Sequence, residues 1–189
     1  AQKFNLMRFD ESYISNTDST KSFYNKIKNL SIDKSSDIYI SFGGELRAEL
    51  DYVSNENWGH KNEGKDLFFL HLYQLHGDLH LGEHLRVFGQ LRSGLEQGRN
   101  DGPRIIDEDK LNIQNLFLDI IPYNSNDASL LLRIGRQELR YGSGRLIDVR
   151  DGPNLRLYFD GVNMVYRKKH IQLDAFVMSD GKVKPGIMD

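Results

Sequence analysis

From Ile38 to Tyr52 the chain changes character at every residue. Ile38, Ile40, Phe42, Gly44, Leu46, Ala48, Leu50 and Tyr52 alternate with Tyr39, Ser41, Gly43, Glu45, Arg47, Glu49 and Asp51. A period of two is the signature of an extended backbone, whose successive side chains point to opposite faces. Strands of soluble proteins run to about 5–6 residues. A longer one, charged on one face and apolar on the other, suits a sheet that separates lipid from water.

The same pattern recurs along the chain. Leu67, Phe69, Tyr73, Leu75, Leu79 and Leu81 oppose Gln74, His76, Asp78 and His80, and Leu85, Val87, Gly89 and Leu91 oppose Arg86, Gln90, Arg92 and Glu96. Between these two runs lie Gly82, Glu83 and His84, the length of a hairpin turn. A fourth strand covers Leu111 to Ile121, where a phase slip between Ile113 and Leu116 predicts a bulge. A fifth runs from Leu130 to Gln137, a sixth is marked by Val162, Met164 and Tyr166, and a seventh by Ile171, Leu173, Ala175 and Val177. The connections are expected to be long at 54–65, 98–109 and 142–154, short at 82–84 and 168–170, and of middling length at 122–128. Long loops on one rim and short turns on the other are the habit of outer-membrane barrels, whose short turns face the periplasm.

The fold expected is therefore all-β, an antiparallel up-and-down transmembrane β-barrel of which residues 37–189 supply about seven long strands. Seven strands with an open edge do not close in hydrocarbon, so the sequence reads as a portion of a longer barrel. Residues 1–36 read as a separate periplasmic or plug-like lead-in. Phe23, Ile27 and Leu30 follow Asp18 and Ser19 there at the spacing of a short amphipathic helix. The start at Ala1-Gln2 fits a mature exported chain.

Composition narrows the classes. The formal charge of −2 gives no bulk attraction to nucleic acid. The mean hydropathy of −0.55 would file the chain as soluble, but that measure is blind to strands in which every second residue is polar. No run approaches the ~20 apolar residues of a membrane helix. Cysteine is absent, which removes disulfides and thiolate metal sites.

The polar faces carry a ladder of mixed charge: Glu45, Arg47 and Glu49; His76, Asp78 and His80; Arg86 and Arg92; Arg133; Asp174. In a narrow barrel such residues pair and fill the interior, whereas ~16–18 strands leave a channel whose lining sets selectivity. Arginines there would draw carboxylates by field and by forked hydrogen bonds, and interleaved acids would keep the attraction shallow enough for release. Arg47, Arg86, Arg92 and Arg133 are the lining expected from periodicity.

Other chemistries are weaker. His76 and His80, with His71 and His84, have the count for a metal site, but the alternation places them on a strand rather than a helix. Tyr141-Gly142-Ser143-Gly144-Arg145 resembles a phosphate loop without its Gly-Lys-Ser/Thr ending, and reads better as an outer-loop turn. Asp107-Glu108-Asp109, Asp148 and Asp151 lack the spacing of a calcium loop. Glu45 and Glu49, about 13 Å apart on a strand, are too distant for a glycosidase pair. No nucleophile with a base stands out, so no enzyme, cofactor or metal is expected.

Several phrases together resemble the alginate-export family of outer-membrane porins: Phe4-Asn5-Leu6-Met7-Arg8-Phe9-Asp10-Glu11, Gly43-Gly44-Glu45-Leu46-Arg47, Gly135-Arg136-Gln137-Glu138-Leu139, Tyr141-Gly142, Arg145-Leu146-Ile147, Pro153-Asn154 and Phe159-Asp160-Gly161. The resemblance implies a large monomeric barrel in the outer membrane of a Gram-negative bacterium. Its arginine-rich lumen would let an anionic polysaccharide of uronate units leave the periplasm by diffusion. It also implies a lumen or rim role for Arg47, Arg136 and Glu138, although alternation from Leu130, Leu132 and Ile134 points Arg136 outward, a conflict that either a bulge at Gly135 or a position above the hydrocarbon would resolve. The partners expected are the saccharide, outer-membrane lipid and periplasmic export components. The alternatives are a general or nutrient-uptake porin of the same architecture, an enzyme housed in a barrel, and a soluble ligand-binding barrel.

Overall fold

The computed structural model describes residues 4–11, 27–28, 30–32, 37–59 and 64–188. They form one antiparallel sheet of eight strands in simple sequence order, and the sheet is not closed. A two-residue strand β1 (Leu30–Ser31) precedes the seven long ones: β2 (Ile38–Ser54), β3 (Lys65–Leu81), β4 (Leu85–Gln97), β5 (Asp109–Asn124), β6 (Ala128–Gln137), β7 (Phe159–Lys168) and β8 (Ile171–Asp180). No helix among the described residues is long and apolar enough to cross a membrane, which says nothing of strands.

The alternation fixes which face is which. On β3, Asp66, Phe68, Leu70, Leu72, Gln74, His76 and Asp78 are buried, while Leu67, Tyr73 and Leu75 between them are exposed. On β2, Leu46 and Leu50 are 71% and 67% exposed. The apolar rows thus cover the outside, and the polar rows face the concave side. The outer band also shifts along the sheet. Tyr52 still belongs to it on β2, but on β6 it stops at Ile134, whose successor in that row, Arg136, lies level with Leu116 and, through Gly89 and Gly77, with Phe42. A band that slides along successive strands is what tilted strands in a flat bilayer require.

Three features differ from the expectation. Leu30 lies in β1, paired with Ile40, and not on a helix; Ile27 and Lys28 are helical, while Asp18, Ser19 and Phe23 lie outside the described residues. The connection expected at 122–128 shrinks to 125–127, because β5 runs past Pro122 to Asn124. A register shift between Ile120 and Tyr123 accommodates the proline, which has no N–H to give a regular ladder. The long connection after β6 spans 138–158, wider than 142–154 at both ends. The expected bulge is present, with Gln90 facing Asn115 and Leu91 facing Ile113, so that Gln114 is the additional residue. Connections 55–64, 98–108 and 138–158 therefore share one rim, and 82–84, 125–127 and 169–170 the other.

Candidate functional site: the concave face

Two longer segments lie against the concave face beside the buried Lys28, whose carbonyl accepts from the Ser41 hydroxyl, and both are held by the charged ladder. The first is the stretch from Phe4 to Glu11, with a single 3-10 turn at Arg8–Asp10. Phe9 is its anchor. Its ring meets Phe88 and Phe117 edge-on at 5.8 and 5.2 Å, and these three form a small apolar cluster among the charged residues of the wall. The Arg133 guanidinium lies over Phe117 and Phe9 at 3.9 and 4.4 Å. Arg86 donates to the Phe9 carbonyl at 2.6 Å, and Arg8 reaches Glu45 at 2.8 Å and Glu11 at 2.9 Å.

The second segment is the connection 138–158, which folds inward over the wall instead of standing clear of the rim. Arg92 donates to the Arg156 carbonyl at 2.7 Å, and Arg47 donates to the carbonyls of Pro153 and Asn154 at 3.2 and 3.0 Å. The Asn154 amide group donates to the carbonyls of His71 and Asp107, and its backbone N–H to the Asp107 carboxylate. Leu155 is buried against Gly94, where a Cβ would collide with it. Glu138 accepts from Gln114 at 2.9 Å and Asn115 at 3.3 Å, with Arg156 3.9 Å away. Burial pushes its carboxyl above the ordinary glutamate range, against the pull of Arg156 and the two amides.

The expected lining residues can now be placed. Arg47, Arg86, Arg92 and Arg133 all face the concave side, and each has protein partners. Arg92 is 1% exposed, with its guanidinium 2.9 Å from Asp109, whose side chain is equally inaccessible. Arg133 forks onto Asp119 at 2.7 and 2.8 Å, and Arg86 onto Asp78 at 2.7 and 2.9 Å. Glu45 bonds Arg8, and Glu49, on the same row, is exposed. Arg136 sits on the outer row at the edge of the apolar band, with no slip of register at Gly135. It pairs with Asp160 at 2.9 and 3.2 Å and covers the Tyr158 ring at 4.0 Å. Glu138 lies beyond the end of β6, buried under the inward connection.

The remaining candidates resolve into local pairings. Asp107 bonds Arg104, Asp151 bonds Arg156, and Asp148 lies 3.4 Å from Arg140. His76 and His80 share the inner row of β3, while His71 is on its outer row. Among the described residues, no three or more His, Asp or Glu side chains converge as metal ligands. Sequence reading missed the buried apolar residues on the polar face: Phe68, Leu70, Leu72, Phe88 and Phe117. Their presence in the rows opposite the outward-facing apolar ones was the available sign that something packs there.

The separate phrases of the sequence meet in one network. Arg8 of the first phrase bonds Glu45 of the second, Arg47 bonds Pro153-Asn154, and Arg156 spans the Leu6 carbonyl at 2.9 Å, Glu138 at 3.9 Å and Glu45 at 4.0 Å. A family model described as alginate export matches residues 38–179, most of the chain and all of the seven long strands but Asp180 at the end of β8. The chain belongs to the alginate-export family. This is a family of outer-membrane β-barrel porins, concerned with transport rather than enzymatic turnover. No curated protein and no solved structure matches it.

Proposed function

We propose that this chain forms part of the wall of a passive outer-membrane channel through which an anionic, alginate-like polysaccharide leaves the periplasm. One observation carries the reading: a sheet of an alginate-export family member is apolar outside and charged inside. The outer face contacts outer-membrane lipid, and the polymer passes along the concave side, delivered by periplasmic export components. Residues 1–36 act as a plug-like lead-in, for which the docking of Phe9 and Arg8 on the wall is the support. The paired state of Arg47, Arg86, Arg92 and Arg133 favours a modest role for them. They hold the plug and the inward connection in place and contribute a compensated field, and their guanidinium groups stay with their protein partners.

The experiment is planar-bilayer conductance of the full-length protein, with oligouronates added. Anion preference with current block by oligouronates is expected, and deletion of residues 1–36 raises the single-channel conductance. Cation preference without block removes the export reading and leaves a general or nutrient-uptake porin of the same architecture.

A further inference from the structure

The glycine-rich phrase at 141–145 stands apart from the pairings described above. Its position is set by the sheet. Reading across the register, Arg86 faces Asp119, Asp119 faces Arg133, Arg133 faces Asn163 and Asn163 faces Phe176. Phe176 therefore closes a row on the concave face, opposite the lipid-facing Ala175 and Val177. Tyr141, from the inward connection, stacks on Phe176 with ring centroids 5.3 Å apart and planes 18° apart, and its hydroxyl lies 3.4 Å from the Asn163 side-chain oxygen. Burial and the nearby Asp174 hold the Tyr141 phenol above its ordinary value.

The backbone around this ring is pinned. Gly144 N–H donates to the Tyr141 carbonyl at 3.0 Å, and Tyr141 N–H to the Ile147 carbonyl at 3.1 Å. Gly142 and Gly144 hold φ of +57° and +72°, values that side-chain-bearing residues resist. The tight loop presents Ser143, Arg145 and Leu146 at the mouth of a cleft of about 580 Å³ floored by Tyr141 and Phe176. Arg145 is exposed, and Phe176 keeps 40% of its surface accessible despite the stacking.

We infer that this cleft is a subsite for one uronate unit of the passing polymer, with the Tyr141/Phe176 pair as platform and Arg145 as the carboxylate ligand. The chemistry is complementary. A pyranose ring has an apolar C–H face that packs on an aromatic surface, and its carboxylate accepts the two parallel N–H bonds of a guanidinium. A mostly apolar cleft with the hydroxyls of Tyr141 and Ser143 and one cation provides orientation without tight capture, as conduction requires. Arg145 differs from the wall arginines in being presented on a preorganised loop and not spent on a buried acid. The inference rests on the transport reading of the preceding subsection.

The test uses the full-length protein in planar bilayers, comparing current block by an oligouronate with block by a neutral gluco-oligosaccharide of equal length. Arg145→Gln is expected to weaken oligouronate block about tenfold while neutral block holds, which is the loss of one charge-assisted pair. Phe176→Leu weakens both, because stacking is indifferent to charge, and Arg145→Lys falls between the unaltered channel and Arg145→Gln. Oligouronate block of Arg145→Gln within about twofold of the unaltered channel overturns the subsite and leaves the export reading standing. Absence of oligouronate block in the unaltered channel overturns the export reading itself, and the subsite with it.

Discussion

Replacing Arg92 by Met distinguishes a lining arginine from a structural one. The Arg92 guanidinium gives bonds to Asp109 at 2.9 Å, to the Gln114 amide oxygen at 2.5 Å and to the Arg156 carbonyl at 2.7 Å, with no solvent access to either charge. Methionine keeps the stem volume and removes the charge, leaving the Asp109 carboxylate buried without its cation. Breaking a buried pair on one side costs about 3–5 kcal/mol, and most of that is the stranded charge. The double variant Arg92→Met/Asp109→Leu removes both charges. Its remaining loss is the unsatisfied Gln114 amide oxygen and an Arg156 carbonyl left with only the long bond from Gln114 at 3.5 Å, together about 1–3 kcal/mol. The double variant should therefore be more stable than the single one. The measurement is urea unfolding of the full-length barrel in lipid vesicles, followed by circular dichroism and by heat-modifiable gel migration. Trypsin cleavage after the exposed Arg145 and Arg150 should accelerate in Arg92→Met, because the connection loses its bond at Arg156. If Arg92→Met unfolds within about 0.5 kcal/mol of the unaltered protein and instead lowers anion preference, Arg92 faces water and the argument from burial fails.

Two further perturbations read the same wall. Gly135→Ala meets both a φ of +130° and the Leu116 carbonyl at the position its Cβ would take, so the β5–β6 pairing has nowhere to shift. Loss of the heat-modifiable folded band is expected, and normal folding of this variant would show that β6 does not pair with β5 in this register. Glu138 titrates above the ordinary glutamate range in the folded state, so the folded form binds its proton more tightly than the unfolded form does. That contribution is fully present below the unfolded pKa and is lost as pH rises through the folded value. Unfolding midpoints should fall as pH rises above the ordinary glutamate range, and Glu138→Gln should flatten that fall; an unchanged slope would place the titration elsewhere.

Much of the wall was legible because a period of two over long runs has few other solutions. All seven long strands, the bulge near Gln114 and the hairpin at 82–84 follow from side-chain alternation and turn length. The turn at 125–127 was obscured by Pro122, which reads as a strand end but sits in a bulge. The concave face was legible only in part, and the reason is physical. Alternation assigns a side to Arg47, Arg86, Arg92 and Arg133 but is silent on what lies opposite them. Asp78, Asp109 and Asp119 pair with Arg86, Arg92 and Arg133 from within the sheet, but the carbonyls and the ring that these arginines and Arg47 also hold come from Phe4–Glu11 and from 138–158, far away in sequence, where no periodicity announces the contact.

The apolar residues on the polar rows hold the resolution of that ambiguity. A water-filled channel gives no reason to place Phe88 and Phe117 beside Arg86 and Arg133, or Leu70 and Leu72 between Asp66 and Gln74. In a wall that must bind a segment of its own chain, both are needed. The phenyl rings supply the apolar gain for Phe9, and the arginines satisfy the carbonyls that the docked backbone brings with it. The same economy governs 138–158, where Leu155 fills the space over Gly94 while Arg47 and Arg92 cap the carbonyls on either side of it. Charged residues so employed are withdrawn from the solute. If the channel carries a polymer as proposed, the surface it meets is made by whatever the docked segments turn toward the pore, and on 138–158 that surface begins at the loop carrying Arg145.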